Sequence, residues 1–289
     1  MTHKIQVNAA LALIFATLCC HAESDEITWR VIDWAPFYIV DGPQSQQGLY
    51  DHIINDLSMK LTEYKHHRSE MSTQRALSEI QKGRKICHPS ALANTDALLS
   101  SVNSFLLPHR IIIKKNQADD FVSLLTPDNS LSLKKLLQSN KLGGLSQKRY
   151  TRNLNRLIDQ YPPEKFYRSP NYSSLVNMLI RERIDYIVEY TPITQYAAGA
   201  NNQFSSYAIS ETQEQQFIPV YIACPDNSWG QAVIKKINLA LKKQMISPDF
   251  IESRLRWFDS DSKELLRRIY QQEYHKDKSS LLKKTIYVD

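Results

Sequence analysis

Apolar and polar positions along the chain follow two periods that alternate from end to end. Over residues 27–33, Ile27, Trp29 and Val31 place apolar side chains at every second position before Asp33, a spacing that predicts a strand. Over residues 49–61, they recur every three or four positions, which predicts an amphipathic helix. The same reasoning predicts further strands over 85–92, 110–113, 142–145 and 184–188, and helices around Leu77, Leu157, Leu179 and Ile237. Such alternation is typical of α/β proteins with mostly parallel sheets and helices on both faces.

The alternation comes in two runs, which predicts two lobes. The first run ends near residue 115, and the second begins after the polar stretch 126–129. Beyond Asp261 the chain is almost entirely polar, apart from Leu265, Leu266 and Ile269. We expect residues 261–289 to form a C-terminal amphipathic helix followed by a basic polar tail.

The amino terminus has the pattern of a cleaved signal peptide. A short start with one cation, Lys4, precedes an apolar run from Ala9 to Cys20, and the small residue Ala22 closes the segment. A helix of a dozen residues rises only about 18 Å, too little to cross a bilayer core of about 30 Å. We therefore expect export to the periplasm with cleavage after Ala22. Leu18 precedes the cysteine pair where a lipoprotein signal has a small residue, which argues against lipidation.

Charge and motifs exclude several functional classes. The formal net charge is +6, and removal of Lys4 with the signal peptide lowers it to +5, a mild and scattered excess that does not indicate a nucleic-acid partner. The seven glycines form no phosphate-binding loop, and the metalloprotease, Cys-x-x-Cys and Gly-x-Ser-x-Gly motifs are absent. Adjacent strand residues point to opposite faces, so the pair His66 and His67 cannot readily share a metal. We predict no metal, no cofactor and no catalytic residue.

Five stretches, read together, resemble the periplasmic solute-binding proteins of the amino-acid type, which have the type II or Venus-flytrap fold. The resemblance extends over residues 27–258. Within the family it is most specific to an uncharacterised branch of amino-acid-transporter-like periplasmic proteins. The stretches are Asp33-Trp34-Ala35-Pro36-Phe37-Tyr38, Gly48-Leu49-Tyr50-Asp51, Arg75-Ala76-Leu77 through Gly83 into Ile86-Cys87, Arg183-Ile184-Asp185-Tyr186-Ile187-Val188-Glu189, and Tyr221-Ile222-Ala223-Cys224-Pro225 with Trp257-Phe258.

The resemblance implies a topology and partners. Residues 23–112 and 220–260 would form a discontinuous first lobe and residues 113–219 the second, with hinge strands at 109–115 and 216–223. A monomer would capture a small polar metabolite between the lobes and deliver it to a membrane permease. Two cysteines remain after the signal peptide, and the composition alone does not show whether they are paired. The resemblance places both on neighbouring strands of the first lobe and so implies a Cys87–Cys224 disulfide.

Two departures from the family pattern argue against an ordinary α-amino acid as ligand. The turn that carries the carboxylate-binding arginine in amino-acid binders reads Thr95-Asp96-Ala97-Leu98 here. The position of the aspartate that holds the ligand amine is Tyr190, with Glu189 beside it. An apolar side chain cannot replace a bidentate arginine–carboxylate contact.

Strand ends and helix starts supply the candidate ligand-binding residues. Arg75 could bind an anionic group of the ligand or equally form an ion pair at the surface. Asp51 is expected to be a structural acid of a turn or helix cap rather than a ligand contact. Glu189 is favoured as a hydrogen-bond acceptor at the end of a buried strand. The full candidate set is Trp34, Phe37, Tyr38, Arg75, His88, Ser90, Arg149, Tyr150, Asn171 and Glu189.

Two other functional classes stay open. The closed form of such a protein can bind a membrane sensor receptor instead of a permease. A few proteins of this fold are dehydratases that use a carboxylate or histidine in the cleft, and Glu189 facing His88 would be the pair to test here.

Overall fold

The computed structural model describes residues 25–146, 150–163, 165–169, 172–199, 203–212, 216–244 and 247–285. The predicted signal peptide, residues 1–22, and the candidate residues Arg149 and Asn171 lie outside these ranges and stay predictions. Within the described part of the chain, no helix has the length and apolar character needed to span a membrane.

The described chain alternates strands and helices as the sequence pattern predicts. The strands are β1 (Glu26–Val31), β2 (Lys65–Glu70), β3 (Ile86–Leu92), β4 (Leu98–Leu99), β5 (Ser104–Leu106), β6 (Arg110–Lys114), β7 (Gly143–Ser146), β8 (Phe166–Ser169), β9 (Tyr186–Glu189), β10 (Phe204–Tyr207) and β11 (Ile218–Cys224). The helices are α1 (Leu49–Lys60), α2 (Thr73–Gln81), α3 (Leu133–Leu137), α4 (Arg152–Gln160), α5 (Tyr172–Ile180), α6 (Thr191–Ala198), α7 (Ser228–Gln244), α8 (Pro248–Leu255) and α9 (Ser260–Thr285). Short 3-10 helices occupy Lys115–Leu124 and Ser210–Thr212.

The strands form two sheets. The first has the order β2-β1-β3-β11-β4, with β5 also pairing with β11, and the second has the order β10-β6-β9-β7-β8. The predicted α/β architecture of two sheets is present, and each sheet adds antiparallel pairs to a parallel part. Strands β2-β1-β3 and β9-β7-β8 pair in parallel, but β11 and β6 pair antiparallel to every neighbour. These two strands adjoin the passages between sheets, so their direction follows from the way the chain crosses over rather than from a strand–helix–strand unit.

The chain passes between the sheets twice. It leaves the first sheet after β5 and enters the second at β6, and it returns between β10 and β11. The segments predicted as hinge strands, 109–115 and 216–223, coincide with β6 and β11, each of which pairs within one sheet only. The two peptide crossings therefore lie beside these strands.

Burial on both faces of the central strands holds the first sheet in place. Apolar residues of β1, such as Trp29, are fully buried, and the apolar face of α1 packs into the same core through Leu49, Ile53 and Leu57. Residues of the second sheet and its helices, among them Ile187 and Leu179, belong to this same continuous cluster. One continuous apolar core therefore extends from the first sheet to the second.

A disulfide joins the two central strands of the first sheet. Cys87 of β3 and Cys224 of β11 are both fully buried, and their sulfur atoms are bonded with Cα atoms 4.4 Å apart. The pairing implied by the family resemblance is confirmed. The bond joins residues 137 positions apart in the chain.

We expect the double variant Cys87→Ala/Cys224→Ala to lose about 4–5 kcal/mol of unfolding free energy, because the bond restricts a very long loop in the unfolded chain. Urea unfolding of the oxidised and variant proteins measures this. Alkylation followed by intact mass gives the control, and two modified thiols in protein purified without reductant would contradict the disulfide.

Candidate functional site

The loop after β1 brings three aromatic side chains to the carboxyl edge of the first sheet. Trp34 and Tyr38 form a β-bridge, and the Phe37 amide donates to the Trp34 carbonyl at 2.8 Å. The Asp51 carboxylate holds the end of this loop, since its Oδ2 accepts from the amides of Ile39 (2.8 Å) and Gly48 (3.1 Å). Its Oδ1 pairs with Arg68. The expectation that Asp51 has a structural role is confirmed.

An aromatic cluster joins the two lobes. The Tyr190 ring, which follows β9, lies 5.6 Å from the Phe37 ring and 6.0 Å from the Trp34 ring, measured between centroids. On its other side it packs against His109 at 3.8 Å, and His109 meets Tyr150 edge-on at 5.0 Å. We call these five residues the junction cluster. Candidates from both lobes, Trp34, Phe37 and Tyr150, thus converge on one place.

His109 is the titratable member of the junction cluster. It is 7% exposed, and its Nδ1 has no hydrogen-bond partner among the described residues. Burial lowers the pKa of His109 to about 3. The imidazole is therefore neutral at pH 7, and its stacking on Tyr190 involves no charge.

Two polar residues fix the second-lobe side of the cluster. The Tyr150 hydroxyl accepts from the Ser146 amide at 2.7 Å and donates to the Val188 carbonyl at 3.1 Å, which ties it to the ends of β7 and β9. The buried Glu189 carboxylate accepts from the Tyr190 amide at 2.9 Å. Burial, with Glu189 as a secondary cause, raises the pKa of both the Tyr150 and Tyr190 hydroxyls. Both tyrosines are therefore neutral donors.

A separate polar group lies under the first-lobe loop. Tyr38 is fully buried, and its hydroxyl donates to Ser90 Oγ at 2.9 Å, while the Ser90 amide makes a long bond of 3.4 Å to His88 Nδ1. The Arg30 guanidinium carbon lies 5.7 Å from the Tyr38 ring centroid. The predicted residues Tyr38, His88 and Ser90 therefore belong together, and Tyr38 faces them rather than the junction cluster.

Other sequence-predicted positions have simpler surroundings. Arg75 is exposed in the first turn of α2, and its guanidinium makes no hydrogen bond or ion pair within the described part of the chain. Leu98, aligned with the carboxylate-binding arginine of amino-acid binders, lies on β4 in a surface groove against Ile234 and Leu239 of α7. No cation reaches the cleft from that position. His88 and Glu189 belong to different sheets.

Sequence reasoning missed two residues of the site. Arg30 was assigned only to the alternating pattern of β1, although a charged residue inside a strand covered on both faces is itself a signal. His109 precedes a strand and was included only in a hinge segment. No cluster of three or more histidine, cysteine or acidic side chains suited to a metal ion occurs among the described residues. The arrangement offers aromatic surface, neutral hydroxyl donors and one buried cation.

Solved structures show the fold. An ancestral amino-acid-binding protein, named as a precursor of cyclohexadienyl dehydratase, matches with a TM-score of 0.62 and 16% identity, covering 82% of this chain and 96% of its own. An amino-acid ABC transporter substrate-binding protein from Streptococcus pneumoniae, bound to L-arginine, matches with a TM-score of 0.62 and 15% identity, covering 82% and 94%. An arginine-binding protein variant from T. maritima matches with a TM-score of 0.61 and 14% identity, covering 82% of this chain and 96% of its own.

The chain therefore has the two-lobed type II fold of amino-acid-type periplasmic binding proteins, and the predicted fold class is confirmed. No family model matches the sequence, and no curated protein matches it. At these identities the likeness establishes the fold alone.

The burial of neutral His109 predicts a loss of stability in acid. Because its pKa falls from about 6.5 in the unfolded chain to about 3 in the fold, protonation favours unfolding. Its contribution is complete above pH 6.5 and declines as the pH falls from there towards 3, with about 2 kcal/mol lost at pH 5. The variant His109→Phe keeps a ring against Tyr190 but cannot be protonated, so its unfolding free energy should fall less steeply between pH 7 and 4.

The measurement is urea unfolding of wild type and variant across that pH range. His67→Gln, at an exposed position, serves as the control and should retain the wild-type slope. Parallel pH profiles for wild type and His109→Phe would refute the assignment. Burial also lowers the pKa of His88, so His88 contributes to the fall of unfolding free energy in acid in every variant.

Proposed function

We propose that this protein is a periplasmic solute-binding protein that captures a small polar metabolite between its two lobes for transport and does no chemistry on it. The observation that carries the proposal is the junction cluster. Side chains from both lobes, Trp34 and Phe37 on one and Tyr190 and Tyr150 on the other, converge at the carboxyl edges of two sheets. Ligands of open α/β sheets bind at such edges.

Convergence from two lobes supports capture by closure. A solute that contacts both lobes binds the closed arrangement better than an open one, and this difference in affinity shifts the population towards closure. The aromatic rings supply flat apolar walls, and the neutral hydroxyls beside them supply orientation. The structural relatives support the same role, since their names describe amino-acid-binding and transporter substrate-binding proteins.

The location and partners form part of the proposal. We propose export by the segment 1–22 with cleavage after Ala22, action as a monomer, and delivery of the solute to a membrane permease. We further propose lobes bounded at 23–112 with 220–260, and at 113–219, with residues 261–289 appended to the first. The packing of Leu266, Ile269 and Tyr270 of α9 into the core that contains β5 and β11 supports that attachment.

We expect Glu189→Gln to weaken solute binding by about 1.5–3 kcal/mol, because a buried carboxylate that accepts a hydrogen bond from the solute loses its charge. A thermal-shift screen of small metabolites on the mature chain identifies a solute, and calorimetry on the variant measures the loss. X-ray scattering should show a smaller radius of gyration with the solute bound.

The matched control is Glu63→Gln, an exposed glutamate 2.6 Å from Lys236 and so expected to change stability by less than about 1 kcal/mol. If Glu189→Gln lowers the melting temperature while affinity stays the same, Glu189 is a structural acid and leaves the site. If wild type shows no saturable binding and no compaction with any metabolite, the proposed function is wrong.

We expect none of the twenty ordinary α-amino acids to bind with micromolar affinity, about −8 kcal/mol. The reason is the pair of missing anchors: Leu98 packs against α7, and Tyr190 replaces the aspartate expected for the amine. Calorimetry with all twenty amino acids provides the check, with L-arginine and L-glutamine first. A single micromolar dissociation constant would overturn this expectation.

A further inference from the structure

A buried arginine without an acidic partner lies at the carboxyl edge of the first sheet. Arg30 belongs to β1 and is 2% exposed. Its Nε donates to the Met71 carbonyl at 3.1 Å, and its Nη2 donates to Thr73 Oγ1 at 2.8 Å. Both acceptors are neutral, and no carboxylate of the described residues pairs with this guanidinium. The positive charge is therefore buried without compensation.

Such an arrangement is unusual and differs from the rest of the molecule. Charged side chains are almost never fully buried unless they are paired, because the charge loses its hydration. Arg254, the other arginine among the buried described residues, is 1% exposed and has Asp56 at 3.6 Å. The structural task of tying β1 to α2 needs only hydrogen-bond donors. A neutral donor would perform it without the cost of a buried charge.

The neighbours of Arg30 lead from the guanidinium to a half-buried hydroxyl. The Tyr38 ring covers the guanidinium, and the Tyr38 hydroxyl donates to Ser90 Oγ. Ser90 is only half-buried, and its own hydroxyl proton has no acceptor among the described residues. The series therefore ends in a free donor at the end of β3, beside the loop that carries Trp34 and Phe37.

The other titratable groups nearby do not neutralise this charge. Burial and the charge of Arg30 keep the pKa of His88 well below its usual value, so His88 is neutral. Asp51 is engaged by Arg68 and by two backbone amides. The positive potential around Tyr38 and Ser90 thus has no counter-charge of the protein's own.

We propose that Arg30, Tyr38 and Ser90 form the first-lobe subsite for the anionic group of the solute, and that the solute is a small organic carboxylate. In this subsite Ser90 donates to the carboxylate, Tyr38 orients Ser90, and Arg30 supplies the charge from behind as a positioning residue. In this proposal a positive charge on β1 attracts the carboxylate, in place of the arginine that is absent at position 98 on β4. The inference rests on the proposed solute-binding function.

The test compares acids with their uncharged amides. The probes are phenylacetate, 4-hydroxybenzoate and hexanoate, each paired with its primary amide and titrated by calorimetry into the mature protein. Wild type should bind at least one acid more tightly than its amide. Arg30→Met should lower the affinity for that acid roughly 10–100-fold, the range expected when a buried positive charge several ångströms from the carboxylate is removed, and leave the amide unchanged. Arg30→Lys, which keeps the charge, should restore part of the preference.

A second variant keeps the test valid if Arg30→Met fails to fold. Ser90→Ala removes one half-buried hydroxyl and should also reduce the acid-over-amide ratio. Ser78→Ala, at a half-buried position on α2, is the matched control and should retain the ratio. A loss of stability without a change in the ratio would show that Arg30 and Ser90 are structural only.

Failure of the inference and failure of the proposed function give different results. If wild type binds neutral metabolites of the wider screen but prefers none of the three acids to its amide, the anionic subsite is refuted and the solute-binding function stands. If an acid is preferred and both Arg30→Met and Ser90→Ala keep that preference, the charge comes from elsewhere and the assignment is wrong. If no compound, charged or neutral, binds saturably, the proposed function itself fails.

Discussion

The packing of Tyr190 between His109 and the first-lobe aromatics is the interaction on which the geometry of the site depends. Tyr190 follows β9, His109 precedes β6, and Phe37 follows β1, so the contacts of one ring join three segments of the chain. Because all three groups are buried and neutral, their contact depends on the exclusion of water rather than on charge. Such a contact stabilises the approach of the lobes without a strong directional bond.

The polar groups of the site are arranged around this dry contact. Tyr150 is fixed by Ser146 and Val188 at the ends of two strands, and Asp51 fixes the loop that holds Trp34 and Phe37. Both anchors use backbone partners. Tyr150 is therefore positioned by the ends of β7 and β9, and the loop that carries Trp34 and Phe37 is positioned by the first turn of α1.

The sequence predicted those parts of the structure in which burial produces a regular period. β1, α1 and β9 were identifiable because one face or both faces must be apolar, and the disulfide followed from a resemblance that placed Cys87 and Cys224 on adjacent strands. β2 and β8 are polar along most of their length, since each is a sheet edge, and they carry almost no such signal. The antiparallel direction of β6 and β11 depends on where the chain passes from one sheet to the other. Local periodicity does not encode that position.

The site was only partly predictable for a related reason. Strand ends indicated Trp34, Phe37, Tyr150 and Ser90, but alignment with amino-acid binders assigned the missing cation to position 98, which faces α7. The buried cation instead lies on β1. In that strand the alternation of apolar and polar residues with a period of two suggests that the Arg30 side chain faces solvent. That reading fails because helices cover both faces of a central strand, and every polar residue there needs its own explanation. For Arg30 the neutral partners Met71 and Thr73 accept two of its hydrogen bonds and leave its charge uncompensated. The buried charge of this protein therefore lies on a central strand of the first sheet, at a position that the local period assigns to the surface.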